Sequence, residues 1–146
     1  MIREINENDI DGLLTLYTHL HGNAVPKKNA GLTALFDRIL ADDCHHIIVA
    51  EEDGRLASSC VIVIIPNLTH GQRPYAVVEN VITAPEYRRR GLASECLNYA
   101  RDIAKSCGCY KIMLMTGSRE KSTLDFYRRA GYNSEDKTGF VQWLKP

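Results

Sequence analysis

Two apolar segments separated by an amphipathic helix limit the folds open to this chain more than any other feature. The strand Tyr75–Thr83 is stopped by Pro85, a helix is predicted over residues 91–105, and residues 111–116 have the apolar run of a buried strand. A strand, a helical crossover and a second strand require a parallel pair, because the helix returns the chain to the same end of the sheet. The sequence therefore predicts an α/β or α+β fold.

The rest of the chain supplies further elements of the same fold. Helical spacing predicts a helix after Asn8 or Asp9 that continues to Leu20, and others over residues 32–40 and 121–130. Asp53-Gly54 predicts a hairpin between strands 47–52 and 56–65. Alternation predicts a short strand at residues 1–5, and a last strand is predicted at residues 138–144. We expect residues 1–146 to form one domain with a mixed central sheet of about six to seven strands and helices on both faces.

Length and charge exclude several classes of protein. A chain of 146 residues, 45% of them hydrophobic, can bury a real core. Lys plus Arg (18) balances Asp plus Glu (18), which argues against a general nucleic-acid binder. No apolar run approaches the roughly 18 residues of a membrane helix, and charges throughout residues 1–20 replace the apolar core of a signal peptide. We expect a cytoplasmic protein that binds neither nucleic acid nor membranes.

The cysteines agree with that compartment and indicate no metal site. Five cysteines in a chain without an export signal point to free thiols in a reducing environment. Cys107-Gly-Cys109 is too tightly spaced for the usual zinc pair, and no second pair follows. We therefore expect no metal ion.

The junction between residues 77 and 94 is the most informative stretch for function. The amides that open a helix are unpaired and carry partial positive charge. Gly91 and the small Ala93 allow a ligand to approach them, and three consecutive arginines precede Gly91. This combination favours a pyrophosphate site at the helix start, although it is not a Walker A loop. A solvated arginine cluster beside an ordinary helix start is the alternative.

Two motifs together resemble a known family. Arg88-x-x-Gly91-x-Ala93 after a strand is similar to the first signature of the GNAT superfamily of N-acetyltransferases, and Phe126-Tyr127-x-x-x-Gly131-Tyr132 is similar to the second. The spacing and element order of the family extend through nearly the whole chain. Locally, residues 109–112 and 126–132 resemble the glucosamine-phosphate acetyltransferase branch.

The resemblance implies acetyl-CoA as co-substrate and assigns residues to it. Backbone groups of three strand residues would pair with the pantetheine arm: Val81, Ile82 and Thr83. The helix start would hold the pyrophosphate through Arg88, Arg89, Arg90, Gly91, Leu92, Ala93 and Ser94. Arg129 would reach the adenosine end. The family often has Asn seven residues before its signature tyrosine, where this chain has Glu120.

Glu79 is a candidate general base. It lies among Val77, Val78, Val81 and Ile82, where a carboxylate is costly unless it is hydrogen-bonded or functional. Alternation places it on one face with Val77, Val81 and Thr83. Burial would favour its protonated form and bring proton uptake toward neutral pH, which suits a base acting directly or through water. A structural carboxylate paired with an arginine or with backbone amides is the alternative.

Tyr127 is a candidate general acid. A tyrosine hydroxyl is protonated at neutral pH and can hand a proton to a departing thiolate, and the matching tyrosine of the family acts in this way. An aromatic residue that packs one face of a helix is the alternative. No Ser-His-Asp or Cys-His arrangement supports an acyl-enzyme route.

These residues together predict an acetyl-CoA-dependent N-acetyltransferase that uses direct transfer to a primary amine. The acceptor is expected to be a small amine or an amino sugar phosphate rather than a protein, recognised by loops 21–31 and 66–74, where His70 and Arg73 lie. Family members are often dimers, so a homodimer is among the expected partners. The alternative function is a catalytically silent CoA-binding or regulatory module on the same fold.

Overall fold

A computed structural model describes residues 1–146, which form two compact units, Met1–Leu114 and Met115–Pro146. The strands are β1 (Ile2–Glu4), β2 (His45–Glu52), β3 (Arg55–Ile65), β4 (Tyr75–Thr83) and β5 (Ile112–Leu114). The α-helices are α1 (Ile10–His21), α2 (Ala30–Leu40), α3 (Leu92–Ser106) and α4 (Lys121–Arg129), and a 3₁₀ turn spans Pro85–Tyr87. None of these helices is long and apolar enough to cross a membrane.

The first unit contains one mixed sheet with strand order β1-β2-β3-β4-β5. Neighbouring strands from β1 to β4 are antiparallel, and β4 pairs with β5 in parallel. The predicted parallel crossover and the α/β class are confirmed. The expected six to seven strands are not, because the sheet has five.

The β2–β3 hairpin forms where the Asp53-Gly54 signal predicts it. Both residues have positive φ, 52° at Asp53 and 72° at Gly54, as a two-residue hairpin turn that matches the strand twist requires. The hairpin sets the register in which Ile47 lies opposite Val61 and Ile48 opposite Cys60. Adjacent residues of each strand therefore face opposite sides of the sheet.

One face of the sheet packs against α1 and α2. Leu13 of α1 and Phe36 of α2 form a core cluster with the β2 residues Ile47 and Val49 and with Val61 of β3. Asn29 caps α2 through its side chain, which accepts the amide N–H of Leu32. Burying each large apolar side chain of this cluster contributes about 1.5–3 kcal/mol.

The opposite face packs against α3, which crosses β2, β3 and β4. The buried stripe of α3 includes Cys96, Leu97 and Ala100, and Cys96 lies beside Cys60 of β3. Ile62 is fully buried on the same strand. The prediction of helices on both faces is confirmed.

The second unit contains α4 and the C-terminal segment. The rings of Phe126 and Tyr127 meet edge to face with centroids 5.0 Å apart, and Tyr132 lies 6.4 Å from Tyr127. Residues 137–146 form no strand, so the predicted strand over residues 138–144 is wrong. Local alternation indicates a strand only where a neighbouring strand accepts its hydrogen bonds, and no strand in the chain pairs with this segment. Whether the two units constitute one domain stays a prediction.

Candidate active site

The site in the first unit begins where β4 and β5 part. Only Ala76, Val77 and Val78 of β4 pair with β5, because β5 ends at Leu114, before the predicted residue 116. The edge of β4 from Glu79 to Thr83 therefore pairs with no strand on that side, over a length of about 16 Å at 3.3 Å per residue. An unpaired strand edge offers N–H and C=O groups to an extended ligand.

A β-bulge lies at the start of this free edge. Glu79 pairs with Val61 and Ile82 with Ser59, so Asn80 and Val81 of β4 oppose Cys60 alone. Asn80 has a φ of 52°, in the left-handed region that asparagine tolerates better than most residues. The extra residue reverses the alternation beyond it.

Because of the bulge, the residues of β4 beyond Asn80 face the opposite side of the sheet from the one predicted. Because strand partners share a face, Ile82 follows Glu79 on the α1 side, whereas Thr83 lies with Ser58 on the α3 side. The Thr83 hydroxyl is 2.8 Å from the Ser58 hydroxyl, as this register requires. The expectation that Glu79 shares one face with Val81 and Thr83 is therefore wrong.

The free edge leads through a turn into the N-terminus of α3. Arg89 and Gly91 both have left-handed backbones, with φ of 61° and 81°. Glu95 makes the first helical hydrogen bond, from its N–H to the Gly91 carbonyl at 3.0 Å, and no side chain caps the helix. The preceding amides, those of Leu92, Ala93 and Ser94, are the unpaired donors expected at a helix start.

The arginines at this turn have different contacts. The Arg88 guanidinium donates to the Thr83 carbonyl at 3.4 Å. Arg90 donates to the Glu52 carboxylate and to the Glu86 carbonyl, both at 3.3 Å, and lies over the Tyr87 ring. Arg89 is exposed and makes no side-chain hydrogen bond. Two of the arginines therefore fix the shape of the turn, while Arg89 is available to an anion.

The backbone around the turn could accommodate a phosphate group. A Cβ built at Gly91 meets no atom within 4 Å, so open space lies on the side of this residue that a side chain would fill. Positive charge, a helix N-terminus and this open approach together fit a pyrophosphate. The residues predicted to bind the pyrophosphate, from Arg88 to Ser94, thus lie together in this structure.

Glu79 lies on the free edge but is not buried. Its side chain is exposed, so the expectation that it is buried is wrong. The apolar neighbours of Glu79 along the strand suggested burial, but they do not cover its side chain. β5 ends before reaching it, and this removes the cover that the apolar context suggested.

Sequence reasoning missed three buried hydroxyl groups that lie behind the free edge. Ser58 and Ser59 are fully buried in β3, and Ser58 donates to the Ile82 carbonyl at 2.9 Å. The third is Tyr17 of α1, whose buried hydroxyl lies near the side chains of Ser59 and Asn80. Two adjacent serines within an apolar strand were the available signal, because a buried hydroxyl requires a partner.

The loop over residues 66–74 lies at the other end of β4. Its His70 stacks on Tyr110, with centroids 3.9 Å apart, and the Arg73 guanidinium donates to the Gly108 and Cys109 carbonyls at 3.1 Å each. Tyr75, where β4 begins, lies about 13 Å along the strand from Glu79. The structure therefore separates His70 and Arg73 from the free edge.

The remaining predicted residues lie in the second unit. Tyr127 and Arg129 occupy the last two turns of α4, and Glu120 is its N-cap residue without a side-chain cap hydrogen bond. The carbonyl of Tyr127 accepts the Tyr132 N–H at 3.1 Å. The roles assigned to Tyr127 and Arg129 stay predictions.

Comparisons with known proteins agree with this geometry. The sequence model of the acetyltransferase (GNAT) family matches residues 10–132. The glucosamine 6-phosphate N-acetyltransferase of Trypanosoma brucei brucei is 31% identical over 137 residues, covering 93% of this chain and 90% of that protein. A solved structure from Agrobacterium tumefaciens str. C58, provisionally assigned as an acetyltransferase, has a TM-score of 0.91 and 34% identity, covering 99% of both chains. An aminoglycoside N-acetyltransferase solved with CoA has a TM-score of 0.77 and 18% identity, covering 99% of this chain and 100% of its own.

The fold and the family match define the class of protein. The chain belongs to the GNAT family of acetyltransferases, and the resemblance first seen at Arg88, Gly91 and Ala93 is confirmed.

Proposed function

We propose that this chain transfers an acetyl group from acetyl-CoA directly to a primary amine. The observation that supports this most is the continuity of the free β4 edge with the uncapped start of α3. An extended arm carrying amides fits the strand edge, and a pyrophosphate fits the helix start. Acetyl-CoA has both parts in one molecule, and its thioester supplies an activated acyl group.

The path from the free edge of β4 to the start of α3 indicates which residues would hold acetyl-CoA. Backbone groups of Val81, Ile82 and Thr83 pair with the pantetheine arm. The amides of the α3 start hold the pyrophosphate, with Arg89 adding charge and with Arg88 and Arg90 fixing the turn. Arg129 of α4 contacts the adenosine end.

Three groups of the chain act on the reacting atoms as base, hydrogen-bond donor and acid. The Glu79 carboxylate attracts the ammonium form of the acceptor and takes a proton from it, directly or through water. The Val81 amide donates a hydrogen bond to the acyl oxygen, on which charge develops. The free amine attacks the thioester carbon and the carbon–sulfur bond breaks. The Tyr127 hydroxyl protonates the departing sulfur and is reprotonated, through water, by the proton that the new amide nitrogen loses.

The thiols of the core support direct transfer. Burial raises the pKa of the Cys96 thiol to about 11, and burial also raises that of Cys60. A thiol that stays protonated at neutral pH is a poor nucleophile. These two residues therefore offer no acyl-enzyme route.

We propose a small amine as the acceptor, with an amino sugar phosphate as the first candidate. The relative from Trypanosoma brucei brucei carries that substrate in its name. The loop over residues 22–29 follows α1 and is exposed throughout, and its Lys28 forms an ion pair with Asp11. This loop follows a helix that contacts β4, the strand that carries the free edge.

The test is thiol release from acetyl-CoA against a panel of amines. The panel contains glucosamine 6-phosphate, glucosamine, spermidine and a lysine peptide, with a reaction lacking amine as the background. We expect release above background with at least one small amine and acetylated product by mass spectrometry. CoA binding by calorimetry without release on any amine would support the silent module instead.

We also propose a homodimer, formed through the C-terminal segment. Phe140, Trp143 and Leu144 are each more than 85% exposed, and this segment has no strand partner within the chain. Two copies covering these side chains would bury on the order of 1,000 Å², near the size of a stable interface. Trp143 is the single tryptophan. We expect a dimer mass by light scattering and a blue shift of tryptophan emission as concentration rises; a monomer mass throughout would contradict the proposal.

The free cysteines support a cytoplasmic location for this activity. None of the five is in a disulfide, and two are buried in the core. A reducing compartment keeps such thiols intact. Detection of a fluorescent fusion in the soluble fraction of the native cell, against an exported control, tests this.

A further inference from the structure

The Tyr17 hydroxyl sits at the bulge of β4 without a hydrogen bond of good geometry. Tyr17 lies on α1, and its hydroxyl oxygen is inaccessible to solvent and makes no hydrogen bond. The side chains of Ser59 and Asn80 are nevertheless close enough to lower its pKa, against the larger effect of burial, which raises it to about 12. The hydroxyl is therefore neutral and faces two polar side chains.

One of these neighbours is already committed elsewhere. The Ser59 hydroxyl donates to the Ile48 carbonyl at 2.8 Å, so it can only accept from Tyr17. The other neighbour, Asn80, has the left-handed backbone that creates the bulge. The Tyr17 hydroxyl thus lies beside one hydroxyl that is already bonded and beside the residue whose conformation sets the course of β4.

A buried hydroxyl with imperfect hydrogen bonds is not explained by stability. Leaving a buried polar group unsatisfied destabilises the fold, and phenylalanine would fill the same space without that cost. Tyr17 also packs its ring against the core formed by Leu13 and Val61, which phenylalanine would preserve. Packing of the core therefore needs the ring of Tyr17 but not its hydroxyl.

We propose that Tyr17 is a positioning residue for acetyl transfer, an inference that rests on the proposed function. Its hydroxyl supports Asn80 in the left-handed conformation and so directs the amide of the next residue, Val81, toward the acyl oxygen. Because Tyr17 belongs to α1, the same contact links the position of that helix, and of the loop that follows it, to the acyl site.

The test is Tyr17→Phe, with Tyr99→Phe on the exposed side of α3 as the matched control. We expect an unchanged or raised melting temperature, CoA affinity within about twofold of wild type, and kcat lowered about tenfold, since a misdirected donor loses part of its transition-state stabilisation. Tyr99→Phe should change none of the three. A purely structural role predicts the opposite pattern, with lost stability and retained kcat.

A rescue variant separates the bulge from other effects. Glycine adopts positive φ without support, so Asn80→Gly in the Tyr17→Phe background should recover most of the lost kcat. A double variant no faster than Tyr17→Phe would contradict the proposal. Wild-type turnover by Tyr17→Phe would overturn it.

Backbone amide signals measured by NMR give a second readout that does not depend on activity. In ¹⁵N-labelled protein, Tyr17→Phe should move the Asn80 and Val81 backbone signals, whereas Tyr99→Phe should not. If wild type acetylated no amine while these signals moved, the proposed function would fail and the structural link would stand. Unmoved signals would sink the inference, whatever the activity.

Discussion

Gly91 offers the sharpest test of the proposed pyrophosphate site, because its effect on stability can be separated from its effect on binding. Gly91 has φ of 81°, and a Cβ built there meets nothing within 4 Å. Gly108, just beyond the other end of α3, has φ of 76° and equally open surroundings. Alanine at either position therefore adds the same backbone strain, about 1–2 kcal/mol, without a steric clash.

The two variants should lose similar stability and differ in ligand binding. The strain predicts a fall in melting temperature of roughly 3–8 °C for each. At Gly91 the added methyl group occupies the open approach to the α3 amides, so CoA affinity should fall about tenfold, which is about 1.4 kcal/mol. Gly91→Glu adds a carboxylate beside the phosphates and should lower CoA affinity about 100-fold or more.

Calorimetry measures the CoA affinity of each variant, and a melting curve measures its stability. A folded Gly91→Glu protein that binds CoA as wild type does would refute the site. Equal loss of affinity in Gly108→Ala would attribute the effect to helix stability instead. Retained affinity in Gly108→Ala, together with loss in both Gly91 variants, is the expected result.

Three further predictions concern the two candidate proton-transfer residues and one ion pair. Glu79→Gln should keep CoA affinity, lower kcat about 10²–10⁴-fold and remove the acidic limb from the pH profile of kcat/KM; a surviving limb would exclude Glu79 as the base. Tyr127→Phe should lower kcat roughly ten- to a thousandfold with a normal melting curve, and wild-type turnover would remove it from the mechanism. The Arg3 guanidinium, 2.6 Å from Asp9, lowers the pKa of that carboxyl, so its stabilisation is complete above the unfolded pKa and is lost as pH falls through the folded one. Asp9→Asn should therefore cost about 2–3 kcal/mol at pH 7 by urea unfolding and less near pH 3; an equal cost at both would contradict the ion pair.

Local signals predicted the elements that local chemistry determines. The bounds of β4, Tyr75–Thr83, match the apolar run that Pro85 ends, and the Asp53-Gly54 turn forms where expected. The helix start at Gly91 follows from a glycine in the left-handed region before an amphipathic run. These features depend on neighbours within a few residues, so the sequence alone is informative about them.

Features that depend on distant partners were not predictable in this way. Assigning alternate residues of Val77–Thr83 to opposite faces assumes an unbroken strand, whereas β3 offers one residue, Cys60, opposite two of β4. The exposure of Glu79 depends on where β5 ends, and the absence of a strand at residues 138–144 on the lack of a partner. Asn80 was the available signal for the bulge, since asparagine accepts positive φ.

The motif residues at the helix start would not be sufficient to build the site on their own. The end of β4 is held by Ser58, whose hydroxyl binds the Ile82 carbonyl and the Thr83 hydroxyl from within the core. The Arg88 side chain, from the turn before α3, donates to the carbonyl of Thr83 at the end of β4. This hydrogen bond fixes the strand edge relative to the α3 amides. An extended ligand that spans both can bind without reorganising either, because folding has already ordered them. Ser58 on the buried face of β3 therefore helps to order the proposed site, together with the arginines.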